Sequence, residues 1–295
     1  NHNKIIENVD IGGPAMVRAA AKNFNDVAVI SSLNQYNELI WELENNKGST
    51  SLKFRQKLSE EAFAETAYYD AVITKYFNKI SNNIFPQKKI IFSKLFKKLR
   101  YGENPHQEAA IYSKNNELKI NQLHGKKLSY NNFNDMFAAL TISKSLPKNS
   151  GTVIVKHANP CGVSSDKNHL KSYKLALNCD PISAFGGIVS CNFKVKKNLA
   201  LELSKIFLEV VIGIGFEKDA IKILKRKKNL RIIDASNITL KNVDSFVSNS
   251  DYILNQTSDT DIFSNKNFKV VSKKKPSRKI YNDLIFAFNV CRFVK

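Results

Sequence analysis

The spacing of apolar and polar positions predicts helices and strands in alternation along most of the chain. Residues 15–24, AMVRAAAKNF, follow Gly12-Gly13-Pro14 with a helical pattern, and Pro14 suits a first helical position. A strand is expected over Val27–Ile30 and a helix over Tyr36–Leu43. Residues 59–77, SEEAFAETAYYDAVITKYF, carry an amphipathic period in which Phe63, Ala67, Ile73 and Phe77 fall on or near one core stripe. From Asn78 to about Lys98 the pattern loosens into Asn, Pro and Lys, as a linker does. Beyond it, LSYNNFNDMFAAL leads into a helix, GTVIVKH is a strand and Leu170–Leu177 is a helix. A further helix leads to the strand EVVIGI, then a short helix to about Leu224 and the strand LRIID. Such alternation implies βαβ units, hence an α/β class with parallel pairing. Residues 237–270 are polar, Asn/Ser-rich and weakly structured, and Asn282–Lys295 reads as a helix. Both ends of the chain read as cut, as in a fragment.

The stretch GTVIVKHANPCG concentrates the chemistry. An apolar run, Thr152–Val155, delivers Lys156 and His157 into a turn-forming Asn159-Pro160. Side chains alternate along a regular strand, so the two groups share a pocket only if the strand stops there. Pro160 drives Asn159 out of the helical region, which fits such a stop. The plain alternative is a solvated lysine beside a histidine that satisfies a local backbone group. Gly12 and Gly13 likewise let an anion approach the N–H groups at a helix start, or form an ordinary loop-to-helix turn.

With 295 residues, 43% of them hydrophobic, the chain can bury a real core and holds two domains. No run approaches the ~18 apolar residues of a membrane span. The start has no signal-peptide shape, and the four cysteines lack close pairing, so a reduced, cytoplasmic protein is expected. The formal charge of +20 raises nucleic acid as a partner, yet only seven of the 46 basic residues are Arg. The lysines lie in short runs spread along the chain, whereas nucleic-acid readers gather Arg and aromatics on one face. A surface that attracts small anionic substrates is the better reading. Gly213-Ile214-Gly215 imitates a dinucleotide fingerprint, but position 218 is Lys. Pro160-Cys161 imitates a zinc-deaminase element, but Ser164 stands where the second Cys belongs, so no metal is expected.

Six motifs occur in order: NVDIGGPAMVRAAAKN, AYYDAVITKYF, LRYGENPHQ, GKKLSYNNFND, VIVKHANPCGV and DPISAFGGIV. Together they resemble the bifunctional purine-biosynthesis family that combines phosphoribosylaminoimidazolecarboxamide (AICAR) formyltransferase with inosine-monophosphate (IMP) cyclohydrolase. The resemblance implies that residues 1–80 are the later part of a cyclohydrolase domain, with a methylglyoxal-synthase-like α/β fold. It implies a linker over 81–98, and over 99–295 the first part of a cytidine-deaminase-like α/β/α formyltransferase domain without zinc.

The same resemblance implies the site residues. Lys156 and His157 match the family's catalytic pair. Arg100 and Tyr101 match its nucleotide-binding pair, Asn132 an asparagine on AICAR, and Phe185 with Gly186 the loop lining the substrate. Glu209 falls where the family has an acidic residue near the folate. Asp10, Ile11 and Gly12 match the cyclohydrolase nucleotide loop, and Lys22 its active-site lysine. Asp10 and Lys22 would shuttle the protons of ring closure, although Lys22 sits about 12 Å along a helix that starts near Pro14. It then reaches back or serves a pocket along the helix side. Implied partners are 10-formyltetrahydrofolate as co-substrate, AICAR and formyl-AICAR, a second copy in a homodimer, and a monovalent cation as an open question. The chain lacks the family's N-terminal phosphate-binding residues and the later half of the transferase, so it is expected to be deficient in both reactions alone. The competing readings are an inactive purine-nucleotide-binding relative and, below it, a basic nucleic-acid binder.

Overall fold

The computed structural model describes residues 1–113, 119–240 and 244–295, and the apolar runs around Ile154, Val189, Val211 and Ile232 are wholly buried. The chain divides into two units, Asn1–Lys94 and Leu95–Lys295.

In the second unit the elements run β1 (Lys94–Lys98), β2 (Ala110–Ser113), β3 (Asn121–His124), α5 (Tyr130–Ser145), β4 (Gly151–Lys156), β5 (Asn159–Ser165) and α6 (His169–Cys179). They continue as β6 (Ile188–Cys191), α7 (Lys197–Leu203), β7 (Val210–Gly213), α8 (Lys218–Leu224), β8 (Arg231–Asp234), β9 (Ser245–Asn249), β10 (Tyr252–Gln256) and α9 (Arg278–Cys291). Among the described residues, six strands form one sheet in the order β3-β8-β7-β6-β4-β5. Its centre, β6-β7-β8, is parallel as the helix–strand alternation predicts, whereas β3, β4 and β5 pair antiparallel. The class is therefore α/β with a mixed sheet.

Alternation along these strands divides the core between two faces. Ile154, Val189, Val211 and Ile232 meet Tyr173, Leu199 and Leu224 from α6, α7 and α8. Val153, Val155, Ile188, Val210 and Ile233 meet Phe133, Met136 and Leu140 from α5. Each fully buried Leu, Ile or Val side chain contributes roughly 1.5–3 kcal/mol relative to exposure. Gly162 lies on the edge strand β5 where α6 crosses closely: a Cβ there would come within 1.9 Å of the Ala176 carbonyl oxygen.

Two expectations for this unit change. The turn falls at His157-Ala158, and Asn159-Pro160 instead opens β5, where an edge position tolerates the missing proline N–H. Within 237–270, β9 and β10 form an antiparallel hairpin. Its two-residue turn is Ser250-Asp251, with Ser250 in the left-handed region at φ 51. Residues 241–243 of that stretch lie outside the described residues.

The first unit contains helices α1 (His2–Glu7), α2 (Gly12–Lys22), α3 (Tyr36–Asn45) and α4 (Leu52–Ile80). Ser51 caps α4 by accepting the Phe54 N–H at 3.2 Å, so this helix starts seven residues before the expected pattern. Its buried stripe is Phe54, Leu58 and Ala62, packed with Ala21 and Val29. Of the expected stripe, Phe63 packs against this core, whereas Ala67 is exposed and Phe77 is 49% exposed. The core forms where α2 covers the first half of α4, and helical period alone does not say which half is covered. Val27–Ile30 is not a strand, because no strand of this unit's described residues offers it a ladder. It runs without regular structure, and Val29 packs into the helical core.

Candidate active site

The polar groups of the second unit gather along one edge of its sheet. Strand β4 runs antiparallel to β6, so its carboxyl end, Lys156, lies beside the amino ends of β6, β7 and β8. This differs from the common α/β arrangement, in which ligands meet the carboxyl ends of the parallel strands. Glu209 precedes β7, and its N–H donates to the Gly187 carbonyl at 3.1 Å, while the Arg231 N–H donates to the Glu209 carbonyl at 3.1 Å. Lys156 and Glu209 thus stand two strand spacings apart, about 10 Å, on one edge.

His157 and Ala158 form the two-residue turn between β4 and β5, at φ 54 and φ 57. Both lie in the left-handed region that a tight type I′ hairpin demands, where Asn-Gly is the usual choice. For non-glycine residues that region costs roughly 1–2 kcal/mol each. Ala158 is 6% exposed, and its N–H donates to Asp135 Oδ1 at 2.7 Å. Asn159 Nδ2 donates to the His157 carbonyl at 3.1 Å, leaving the His157 side chain exposed at the tip. A register shift after Ile154 places Cys161 between the paired positions Pro160 and Gly162, a bulge that adds local twist beside the turn.

The Lys156 ammonium donates to the Phe185 carbonyl at 3.0 Å. Phe185 is 60% exposed and lies 5.3 Å from the Phe207 ring, while Gly186, at φ 75, donates its N–H to the Phe207 carbonyl at 2.9 Å. Only a residue free of a Cβ adopts that φ without strain. Asp180 holds the turn that presents Phe185 by accepting the Ser183 N–H at 2.9 Å. Hydrogen bonding from Ser183, with a smaller contribution from the Lys156 charge, lowers the Asp180 carboxyl below its ordinary value.

At the other end of the edge, Glu209 Oε2 accepts from Asn132 Nδ2 at 2.6 Å and faces Arg231 Nη1 at 3.5 Å. Burial lowers the Arg231 guanidinium from its ordinary value, and the Glu209 charge partly restores it. Tyr101 and Arg100 lie near enough to act on that charge, and Arg100 sits over the Tyr101 ring at 4.7 Å. Asn132 is 2% exposed, and its Oδ1 accepts the Ser129 N–H at 3.1 Å in a capping box that starts α5. Both ends of its amide are therefore occupied by the protein itself.

The structure thus brings Lys156, His157, Arg100, Tyr101, Asn132, Phe185, Gly186 and Glu209 to one sheet edge. Sequence reasoning missed Arg231 and Asp135. Arg231 is one of only seven arginines and opens a buried strand, an available signal. Asp135 lies three residues after Asn132, on the same helix face. A cavity of about 550 Å³ lies elsewhere, at the far end of α5 against α9, lined by Lys144, Leu146, Ile285, Phe286, Asn289 and Arg292. It contains none of the expected site residues.

In the first unit, Asp10 Oδ1 accepts the Gly13 N–H at 2.9 Å, and the Asp10 N–H donates to Tyr69 Oη at 2.8 Å. Ile11 is 75% exposed, and Gly12 has open space around its Cα. Lys22 is the last residue of α2, about 15 Å along the axis from its first residue, Gly12, and Asp10 lies before that helix. Among the described residues, no hydrogen bond or ion pair joins Lys22 to Asp10. Among the described residues, no three His, Cys, Asp or Glu side chains group as a metal site requires. No helix of the described residues is long and apolar enough to cross a membrane.

These features define an α/β protein whose ionisable and amide groups gather on one sheet edge. Residues 20–295 match the model of the family described as AICARFT/IMPCHase bienzyme, and the chain belongs to that family. It is 44% identical over 310 residues to the bifunctional purine biosynthesis protein PurH of Persephonella marina, covering 99% of this chain and 58% of that protein. Against PurH of Bradyrhizobium diazoefficiens it is 42% identical over 298 residues, covering 98% of this chain and 56% of that protein. Against PurH of Prochlorococcus marinus it is 44% identical over 303 residues, with 98% and 58% covered. The chain therefore spans a little over half the length of the curated relatives it matches.

Proposed function

We propose that the protein carrying this chain works in purine biosynthesis, passing a formyl group from 10-formyltetrahydrofolate to AICAR and closing formyl-AICAR to IMP. The observation that carries the reading is the Lys156–His157 pair at a braced hairpin turn beside the exposed Phe185 loop, within a family match over residues 20–295.

The AICAR amine is conjugated to a ring bearing a carboxamide and is a weak nucleophile. It attacks the formyl carbon while His157 accepts its proton, and the carbonyl π pair moves onto oxygen. Lys156 stabilises that oxyanion. On collapse the C–N10 bond breaks, and the departing folate nitrogen takes the proton back from the site. Arg100 offers a guanidinium fork to the nucleotide phosphate, with Tyr101 beside it. Phe185 and Gly186 line the substrate, and Glu209, set by Asn132 and Arg231, faces the folate.

Residues 1–80 are assigned to the cyclohydrolase, of methylglyoxal-synthase-like type, with Asp10, Ile11 and Gly12 at the nucleotide. There the carboxamide nitrogen attacks the new formyl carbon and water leaves. With Asp10 before α2 and Lys22 at its far end, the two serve different points of that reaction rather than one proton relay. Residues 99–295 are assigned to the cytidine-deaminase-like transferase, reached by the linker 81–98, in a cytoplasmic homodimer. The test is formyl transfer to AICAR with His157→Ala. Loss of turnover supports the assignment, and unchanged turnover rejects it.

A further inference from the structure

We infer that Asp135 is a positioning residue that sets the direction of His157 by locking the left-handed His157-Ala158 turn. The inference rests on the proposed role of His157, and its test is separable from that role. Two consecutive residues in the left-handed region, neither of them Gly, Asn or Asp, persist only where their surroundings over-determine them. The Ala158 N–H is directed inward at a residue 6% exposed, where an unpaired donor is costly. Asp135 Oδ1 meets it at 2.7 Å, the short distance of a charge-assisted bond. The carboxylate comes from α5, which packs its apolar face on the sheet, so the turn is tied to the core rather than to a loop. The same helix reaches Glu209 through Asn132 one turn earlier and thereby holds two points of the edge with two side chains. Asp135 accepts the backbone N–H of the residue after His157, and among the described residues it has no hydrogen bond to the imidazole, so it acts through the turn.

The test uses the 295-residue chain and the imidazole ¹H–¹³C signals of its five histidines. Asp135→Ala is expected to shift or broaden the His157 signal, with His2, His106, His124 and His169 unchanged. Asp135→Asn keeps an acceptor oxygen and is expected to hold the His157 signal in place. Adding Ala158→Gly to Asp135→Ala is expected to restore it, because glycine needs no lock to adopt the turn. If Asp135→Ala does not fold, the Asn variant and the double variant decide the matter by the same signals. A His157 signal indifferent to Asp135→Ala, an Asn variant that behaves like Ala, or all five histidines moving together would overturn the inference. In an assay of the longer enzyme that carries this chain, Asp135→Ala is expected to lower kcat at least about tenfold with KM for AICAR within about twofold. Absence of formyl transfer in that longer wild-type enzyme would count against the proposed function alone, since the histidine signals of the 295-residue chain still report the lock.

Discussion

The sheet edge of the second unit and the helix α2 of the first carry their expected chemical groups in opposite ways. At the edge, Lys156, Asn132, Glu209 and Arg231 each have a hydrogen-bonded or ionic partner in the fold, carried by α5 and by strands buried from both faces or the loop before one. Before α2, Asp10 is held by one backbone N–H and one tyrosine oxygen; at its end Lys22 is exposed, and the core beneath is a small cluster around Leu58. Preorganisation follows from scaffold burial: a site is aimed only as well as the elements that carry it.

The largest effect expected is on turnover. General acid–base catalysis contributes about 10²–10⁴-fold, so His157→Ala should lower formyl transfer by at least about a hundredfold in a steady-state assay. Next, Leu58→Ala, at a position 0% exposed, should destabilise the first unit by about 3 kcal/mol. The contrast predicts that the His157 signals of the second unit persist in this variant, and their loss would break it. Arg231→Met leaves Asn132, among the described residues, as the partner of the Glu209 side chain and should reduce denaturant stability by about 1–2 kcal/mol. That is less than for a fully buried pair, because the Glu209 side chain is 41% exposed. Ser51→Ala removes the α4 cap and should cost about 1 kcal/mol in the first unit's transition.

The smallest effect is on the acid side. The Asp180 carboxyl is lowered below 3.8 when folded, so its stabilising contribution is present above that value. It fades as pH falls through the folded value. The stability difference between wild type and Asp180→Asn should therefore shrink in acid, and a difference constant down to pH 2 would remove Asp180 as a brace of the Phe185 loop.

Much of the second unit was legible because its strands are short apolar runs bounded by polar punctuation. GTVIVK, VVIG and RIID carry that pattern, and α5, α6 and α8 carry helical period. The turn was misplaced by two residues because Asn159-Pro160 is a strong local signal, while the left-handed His157-Ala158 pair depends on Asp135, distant in sequence. Strand Val27–Ile30 was misread because apolar β-branched residues suit a strand only where a partner exists to complete the ladder.

Sequence by itself determined the family, the α/β class of the second unit and the identity of the groups proposed for chemistry, since these reside in local composition and ordered motifs. Tertiary structure alone decided which of those groups meet. It joined Asn132 to Glu209 and Asp135 to Ala158 across stretches of chain, and it placed Lys22 at the far end of the helix that follows Asp10. The reason is that strand register and helix packing, which carry groups across a core, are set by long-range burial that no local pattern records.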